Sequence, residues 1–292
     1  MFQLLDGKQT SIAIKEQIAN QVRQYTSKGL RPPHLAAILV GDDGASQTYV
    51  ANKEKSSHEV GFTSSVYRYS ANTSEEELLR AIDFLNNDDD IDGFIVQLPL
   101  PAQINEQKVI NAISPDKDVD GFTPINIGRM VLGEEAFLPA TPKGICSLLK
   151  HYNIETSGKH CVVIGRSNIV GTPVANLLSR KGFDCTVTLC HSRTQNLPEL
   201  TRQADILVVA IGKPEFVTAD MVKEGAVLVD VGIHRVADAT KKSGYRIIGD
   251  VKHSDVDKLC SWVTPVPGGV GPLTIVSLLQ NTLQAYCKRF GL

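Results

Sequence analysis

An excess of one charge is missing from this chain: 30 basic residues meet 32 acidic ones over 292 positions, a formal net charge of −2. A field that weak leaves no footprint for nucleic acid or for an anionic membrane surface, so any bound anion must be gripped locally. Long apolar runs are missing too. The opening Met1-Phe2-Gln3-Leu4-Leu5-Asp6-Gly7-Lys8 has no basic segment leading into an apolar stretch, and no later run approaches a membrane span. No membrane and a cytoplasmic location are therefore expected. The six cysteines contain no CxxC pair, and several sit in apolar strand-like runs where a thiol behaves as a small hydrophobe. They read as reduced and structural. The seven histidines show neither HxxxH nor a Cys/His cluster, which speaks against a metal site. Repeats and low-complexity tracts are absent as well. What is present is an ordinary globular composition, 42% hydrophobic and 21% charged, at a length that suits two domains.

Helical and strand-like patterns alternate along the first part, which predicts an α/β architecture with a mainly parallel sheet. Ile14, Ile18, Val22 and Tyr25 recur at helical spacing. A strand over 35–40 runs into Gly41-Asp42-Asp43-Gly44, and the next helix carries Tyr49 and Lys53. A second strand lies around 65–69, followed by a Ser74-x-x-Glu77 capping box opening a helix. Asp92-Gly93-Phe94-Ile95-Val96-Gln97 reads as a third strand, ended by Pro99 and Pro101. Residues 114–144, rich in Pro, Gly and Asp, read as a crossover without sustained periodicity. Thr141-Pro142 reads as an N-cap with proline at the first helical position. Strands at 160–164, 185–190, 205–210 and 226–231 then follow in Rossmann-like order, and one amphipathic helix closes the chain.

The run Cys161-Val162-Val163-Ile164-Gly165-Arg166-Ser167-Asn168-Ile169-Val170-Gly171 sets a glycine-flanked loop between a buried strand and a helix. Backbone amides and a positive helix end can meet a phosphate there. The spacing departs from GxGxxG, because Ser167 replaces the second glycine, and a turn with only geometric glycines explains the loop equally well. The end of the next strand adds weight. NAD enzymes place an acidic group there for the ribose hydroxyl, whereas this chain has Cys190-His191-Ser192-Arg193. A hydroxyl and basic groups, with Arg166 in the first loop, suit a ribose 2′-phosphate and favour NADP over NAD. The competing reading makes Arg166 and Arg193 ordinary solvated charges. Ala210-Ile211-Gly212 and Asp230-Val231-Gly232-Ile233 again end strands in glycine.

Tyr49 and Lys53 share one helix face, and Gln97 closes a parallel strand at the edge where such sheets bind ligands. Singly they read as a core aromatic, a solvated amine and a strand-end amide. Together with longer motifs they carry a resemblance. Tyr49-Val50-Ala51-Asn52-Lys53, Val96-Gln97-Leu98-Pro99-Leu100-Pro101, Pro115-x-Lys117-Asp118-Val119-Asp120-Gly121-Phe122 and Pro267-Gly268-Gly269-Val270-Gly271-Pro272-Leu273-Thr274 closely resemble segments of the methylenetetrahydrofolate dehydrogenase/cyclohydrolase family. The Gly165-Arg166-Ser167 loop, Thr141-Pro142-Lys143-Gly144 and Asp230-Val231-Gly232 fit the same order, and the likeness spans essentially the whole chain.

The resemblance implies two α/β domains: an amino-terminal folate and catalytic domain (1–120, completed by a helix at about 272–292) and a Rossmann-like NADP domain (121–271), with a cleft between them. It implies NADP-dependent oxidation of methylenetetrahydrofolate followed by hydrolysis of the methenyl product, tetrahydrofolate derivatives as ligands, and a homodimer. By the same resemblance Lys53 is catalytic, Tyr49 orients the folate, Gln97 holds Lys53, and Asp120 binds the pterin, with Leu98, Pro99, Pro267, Gly268 and Gly269 lining the substrate. NADP would meet Gly165, Arg166, Ser167, Val170, Gly171, His191, Ser192, Arg193, Gly212, Gly232 and Ile233. Two residues depart from the family pattern: Leu273 stands where methionine is common, and Ala140 where a cysteine often precedes Thr141. A monofunctional NAD-dependent dehydrogenase on the same scaffold and a non-catalytic NADP-binding sensor are the competing readings; intact Lys53 and Gln97 argue for the second activity, Ser192 and Arg193 argue against NAD, and the undegraded folate motifs argue against a sensor.

Overall fold

The structure, a computed structural model, describes residues 2–241 and 244–292. Met1, which opens the segment read above for a leader, lies outside the described residues. Among the described residues no helix is long and apolar enough to cross a membrane. The chain divides into two compact units, Met1–Ser11 with Thr141–Thr274, and Ile12–Ala140 with Ile275–Leu292.

In chain order the first elements are β1 (Gln3–Leu4), α1 (Gly7–Thr26), β2 (His34–Val40), α2 (Gly44–Glu59), β3 (Thr63–Tyr69), α3 (Glu75–Asn87), β4 (Gly93–Val96), α4 (Glu106–Ala112) and α5 (Pro124–Leu132). Strands β3-β2-β4 form a three-stranded parallel sheet. Strands β2 and β4 are buried almost throughout, which is why they read as continuous apolar runs. Ala36, Ile38, Leu78, Ile82, Leu85 and Phe94 share the core beneath this sheet. Ser74 caps α3 by accepting from Glu77 N at 3.2 Å.

The second stretch holds α6 (Ala140–His151), β5 (His160–Ile164), α7 (Gly171–Ser179), β6 (Thr186–Cys190), α8 (Leu197–Thr201), β7 (Ile206–Val209), β8 (Val227–Asp230), β9 (His234–Ala237), β10 (Tyr245–Ile248), α9 (His253–Val256), β11 (Trp262–Val263) and α10 (Val270–Phe290). Six strands make one sheet in the order β1-β11-β8-β7-β5-β6, all pairs parallel, and β9 with β10 forms a separate antiparallel ribbon. Val162, Ile164, Leu207, Val209 and Leu228 centre its core.

The structure departs from three expectations. Residues at the start join the six-stranded sheet, because Gln3 N donates to Ser261 O and Leu5 N to Val263 O, both at 2.8 Å. Residues 121–140 stay with the three-stranded unit and include helix α5, capped by Thr123, where a plain crossover was expected. Its short length hid the period. Helix α6 starts at Ala140, so Thr141 lies inside the first turn and is not the N-cap.

Candidate active site

In both parallel sheets the chain leaves one strand, lays the next beside it, and then crosses to the other side. This happens between β2 and β4 in the small sheet and between β5 and β7 in the large one. Ligands of open α/β sheets settle at the carboxyl ends of strands at such reversals. Tyr49, Lys53, Gln97, Leu98 and Pro99 follow β2 and β4, and the residues from Gly165 to Gly171 and Gly212 follow β5 and β7, at these two edges.

In the three-stranded unit, α2 follows β2, with Asp43 accepting from Ser46 N at 2.7 Å as its N-cap. One turn separates Tyr49 from Lys53, yet their surroundings differ: Tyr49 is 36% exposed and Lys53 only 8%. Tyr49 is thus no core aromatic, and Lys53 is no solvated amine. Lys53 Nζ donates to Gln97 Oε1 at 3.1 Å. Gln97 is itself held, its backbone N donating to Ile38 O at 2.9 Å and its Nε2 to Leu98 O at 2.7 Å. Those bonds orient the amide so that its oxygen faces the amine. Half-buried Leu98 and exposed Pro99 continue from it through a cis peptide bond.

Burial lowers the pKa of Lys53, opposed by the negative charge of Asp120. Burial likewise pushes the Asp120 carboxyl up to about 6, with Lys53 pulling it down and Asp118 adding to the rise. The three side chains Lys53, Gln97 and Asp120 thus form one electrostatic group with a neutral amide between amine and peptide.

Sequence reasoning passed over the residues that hold Asp120. Asp118, 1% exposed, accepts from Gly121 N, Phe122 N, Thr123 N and Asn126 Nδ2 at 3.0, 3.1, 2.8 and 2.9 Å, so it caps the backbone turn just after Asp120. From α10, fully buried Asn281 donates to Val119 O and Leu138 O, both at 2.8 Å. Lys117 Nζ donates to Leu85 O and Asp88 O at the end of α3. The Pro115–Phe122 motif held two of these in plain sight; Asn281 offered only an amide in an otherwise apolar helix stripe.

In the six-stranded unit the register pairs Ile164 with Cys190, Ile164 with Val209, and Val209 with Asp230. The loops leaving these strand ends therefore emerge along one edge, and they carry the expected cofactor residues. Gly165 has φ 113°, and a Cβ there would lie 2.1 Å from Ala210 O; a Cβ on Gly171 would lie 2.0 Å from Gly165 O. Nothing larger than glycine fits either position. Between them Arg166, Ser167, Asn168 and Ile169 are exposed, and Ser167 Oγ accepts from Val170 N at 3.2 Å, shaping the turn into α7. Exposed Ser192 and Arg193 sit in a turn tied by His191 N to Thr194 Oγ1 at 2.8 Å. Gly212 and Ile233 are exposed and Gly232 is buried. A tight glycine cradle topped by an open basic loop fits a dinucleotide phosphate.

Pro267, Gly268 and Gly269 also belong to this unit. Gly268 has φ 109°, its carbonyl accepts from Lys8 N at 3.0 Å, and a Cβ on Gly7 would overlap Gly269 O. Leu273 is fully buried against Gly144, and Ala140 is buried, so both departures from the family pattern are packing residues.

Comparison with known proteins agrees with this layout. Residues 5–120 match the tetrahydrofolate dehydrogenase/cyclohydrolase catalytic domain, and residues 139–290 match the NAD(P)-binding domain of the same family. The chain belongs to the tetrahydrofolate dehydrogenase/cyclohydrolase family. It is 60% identical over 286 residues to the bifunctional protein FolD of Porphyromonas gingivalis, covering 97% of each chain. Among solved structures it resembles the bifunctional FolD enzyme of Campylobacter jejuni, with TM-score 0.93, 48% identity, and coverage of 99% of this chain and 100% of the other. The Trypanosoma brucei methylenetetrahydrofolate dehydrogenase-cyclohydrolase, solved with NADP and an inhibitor, aligns at TM-score 0.92 and 36% identity, over 99% and 98% of the two chains. The catalytic-domain match contains Lys53, Gln97 and Asp120, and the NAD(P)-binding match contains the glycine cradle and also α10, which the structure groups with the Lys53 unit.

Proposed function

We propose that this enzyme oxidises 5,10-methylenetetrahydrofolate to the methenyl form with NADP⁺ and then hydrolyses that product to 10-formyltetrahydrofolate, with Lys53 as the acid/base of the hydrolysis. The observation that carries this reading is the buried amine of Lys53, hydrogen-bonded to a neutral amide and facing the Asp120 carboxyl. NADP⁺ supplies the hydride acceptor for the first step. The chain's own part in that step is alignment and exclusion of water, which together set how often the reacting atoms meet in a productive geometry.

The second step asks more of side chains. Water adds to the methenyl carbon and loses one proton, the resulting hydroxyl loses its own as the carbonyl forms and the carbon–nitrogen bond breaks, and the departing nitrogen takes one proton while the other passes to solvent. An ammonium cannot accept the first of these protons. Burial lowers the Lys53 pKa and so favours the neutral amine, and Gln97 holds it without adding the negative charge that a second carboxylate would. The same nitrogen, once protonated, can return the proton to the leaving group. Asp120, fixed by Asp118 and Asn281, suits paired donors on the aminopyrimidine edge of the pterin, and Tyr49 lies one turn from Lys53 to hold the ring. Arg166, Ser192 and Arg193 suit the 2′-phosphate of NADP. The resemblance also supports a cytoplasmic homodimer, which light scattering on the purified protein tests.

Supplying the purified protein with methylenetetrahydrofolate and NADP⁺ tests the reading directly. NADPH should form with only transient methenyl product. Accumulation of the methenyl product would leave a dehydrogenase alone, and a higher specificity constant with NAD⁺ would overturn the cofactor assignment.

A further inference from the structure

Two carboxylates that no motif singled out as ligands lie behind the cofactor edge of the six-stranded sheet. Asp250 is fully buried and Asp230 is 1% exposed. Asp250 Oδ2 accepts from Ile211 N at 2.8 Å and Gly212 N at 3.0 Å, the two amides directly after β7 and Ala210. Its other oxygen, Oδ1, takes the Nε2 donor of His234 at 2.7 Å. Asp230 Oδ1 accepts from Gly232 N at 2.8 Å and Asp250 N at 3.0 Å, and its Oδ2 accepts from Val251 N at 3.0 Å and faces His253 Nε2 at 3.1 Å. Glycines clear the room for both groups: a Cβ on Gly232 would lie 2.5 Å from Asp250 Oδ1, and one on Gly249 would lie 1.8 Å from Asp230 Oδ2. The ribbon β9–β10 pairs His234 with Ile248, which returns the chain to Gly249 and brings His234 beside Asp250.

This arrangement has a chemical consequence. Amides of a loop at a strand's carboxyl end are the usual donors to a phosphate. Here the two amides after Ala210 are consumed by a buried carboxylate and are not free for a phosphate, so the backbone groups this loop has left to offer are carbonyl acceptors. Phosphate, which has only acceptors to offer, is disfavoured there, while hydroxyl and carboxamide donors are favoured. Along the same edge the glycine cradle follows β5, and the basic turn with Ser192 and Arg193 follows β6, on the side of β5 opposite β7. A dinucleotide with its 2′-phosphate at β6 and its pyrophosphate at β5 sets its nicotinamide ribose and carboxamide at β7.

We propose that Asp250, tethered by His234 and seated on Asp230, is a positioning residue for the nicotinamide half of the dinucleotide, because it orients the Ile211–Gly212 loop to present acceptors. This rests on the NADP reading above, and the test separates the two. Two ligands are titrated by calorimetry into the full-length protein: NADP⁺, and adenosine 2′,5′-bisphosphate, which has the 2′-phosphate but no nicotinamide half. If the parent protein fails to bind NADP⁺, the NADP reading falls whatever the variants do. If the parent binds it, His234→Ala should weaken NADP⁺ by at least about 5-fold and the bisphosphate by less than about 2-fold, as expected when a charge-assisted bond behind one loop is lost. His234→Gln, which keeps a donor, should recover most of the loss. Asp250→Asn, which keeps the shape but brings an amide group towards the backbone amides, should show the same split more strongly. His234 is part-exposed, so its variants report even where Asp250→Asn does not fold. Unchanged NADP⁺ affinity in folded His234→Ala, or equal weakening of both ligands, overturns the proposal.

Discussion

The two units present the same kind of sheet edge but build it from different atoms. In the three-stranded unit the edge is lined by side chains: a buried amine, an amide that orients it, and a carboxyl raised to about 6. In the six-stranded unit the cofactor edge is shaped by backbone, where Gly165 and Gly171 pack against carbonyl oxygens at distances no side chain tolerates. Buried polar groups serve both units as second supports, Asp118 and Asn281 in one, Asp230 and Asp250 in the other. A site built on side chains is tuned by charge and pKa, whereas one built on backbone is tuned by space and by where N–H groups point.

That contrast predicts unequal sensitivities. The largest effect is expected for Gly165→Ala, which sets a methyl group against Ala210 O and strains a residue with φ 113°. NADP⁺ affinity should fall at least about 10²-fold, in line with a strained left-handed backbone combined with a steric clash. Calorimetry checks it, and near-parent affinity would remove the backbone from the account. Next comes Asp120→Ala, which should raise the folate KM by about 10- to 10²-fold, the cost of losing hydrogen bonds to a charged group, and leave the NADP⁺ KM nearly unchanged. Comparable rises in both would make Asp120 a structural residue. Arg166→Ala comes third. Its exposed guanidinium should contribute about 1.5 kcal/mol to NADP⁺ binding and nothing to NAD⁺, which titrations with the two cofactors separate.

The smallest effect concerns His253, part-buried between Asp230 and Asp257. Burial alone would lower its pKa, but its bonds to both carboxylates outweigh that and raise it. A histidine with a raised folded pKa adds stability that is complete below its unfolded value and is lost as pH rises through the folded one. Thermal melts of the parent should therefore lose stability across that window, and His253→Gln should flatten the slope. An identical slope in both proteins would discount the linkage.

How much of this was legible in the sequence follows from the same contrast. Apolar runs such as 35–40 and 160–164 become buried parallel strands, because a strand covered on both faces needs no alternation. Lys53, Gln97 and Asp120 were found through long motifs, and their residue types already suggest the chemistry. Burial was not legible: a lysine between Asn52 and Glu54 reads as solvated until α2 is placed over its sheet. Helix α5 went unseen because nine residues span too few turns to establish a period. Asp250 and Asn281 stayed hidden for another reason. Each acts on backbone groups 39 and 162 residues away, and sequence spacing carries no trace of such pairings.

The claim that one side chain separates two activities is tested most directly by Lys53→Met, which keeps the aliphatic stem and removes the nitrogen. The measurement is a pair of initial rates on the folded variant, methenyl hydrolysis and NADP⁺ reduction. Hydrolysis should fall by at least about 10², the low end for general acid/base catalysis, while NADP⁺ reduction falls far less. Hydrolysis near the parent rate, or an equal loss of both activities, would contradict the account.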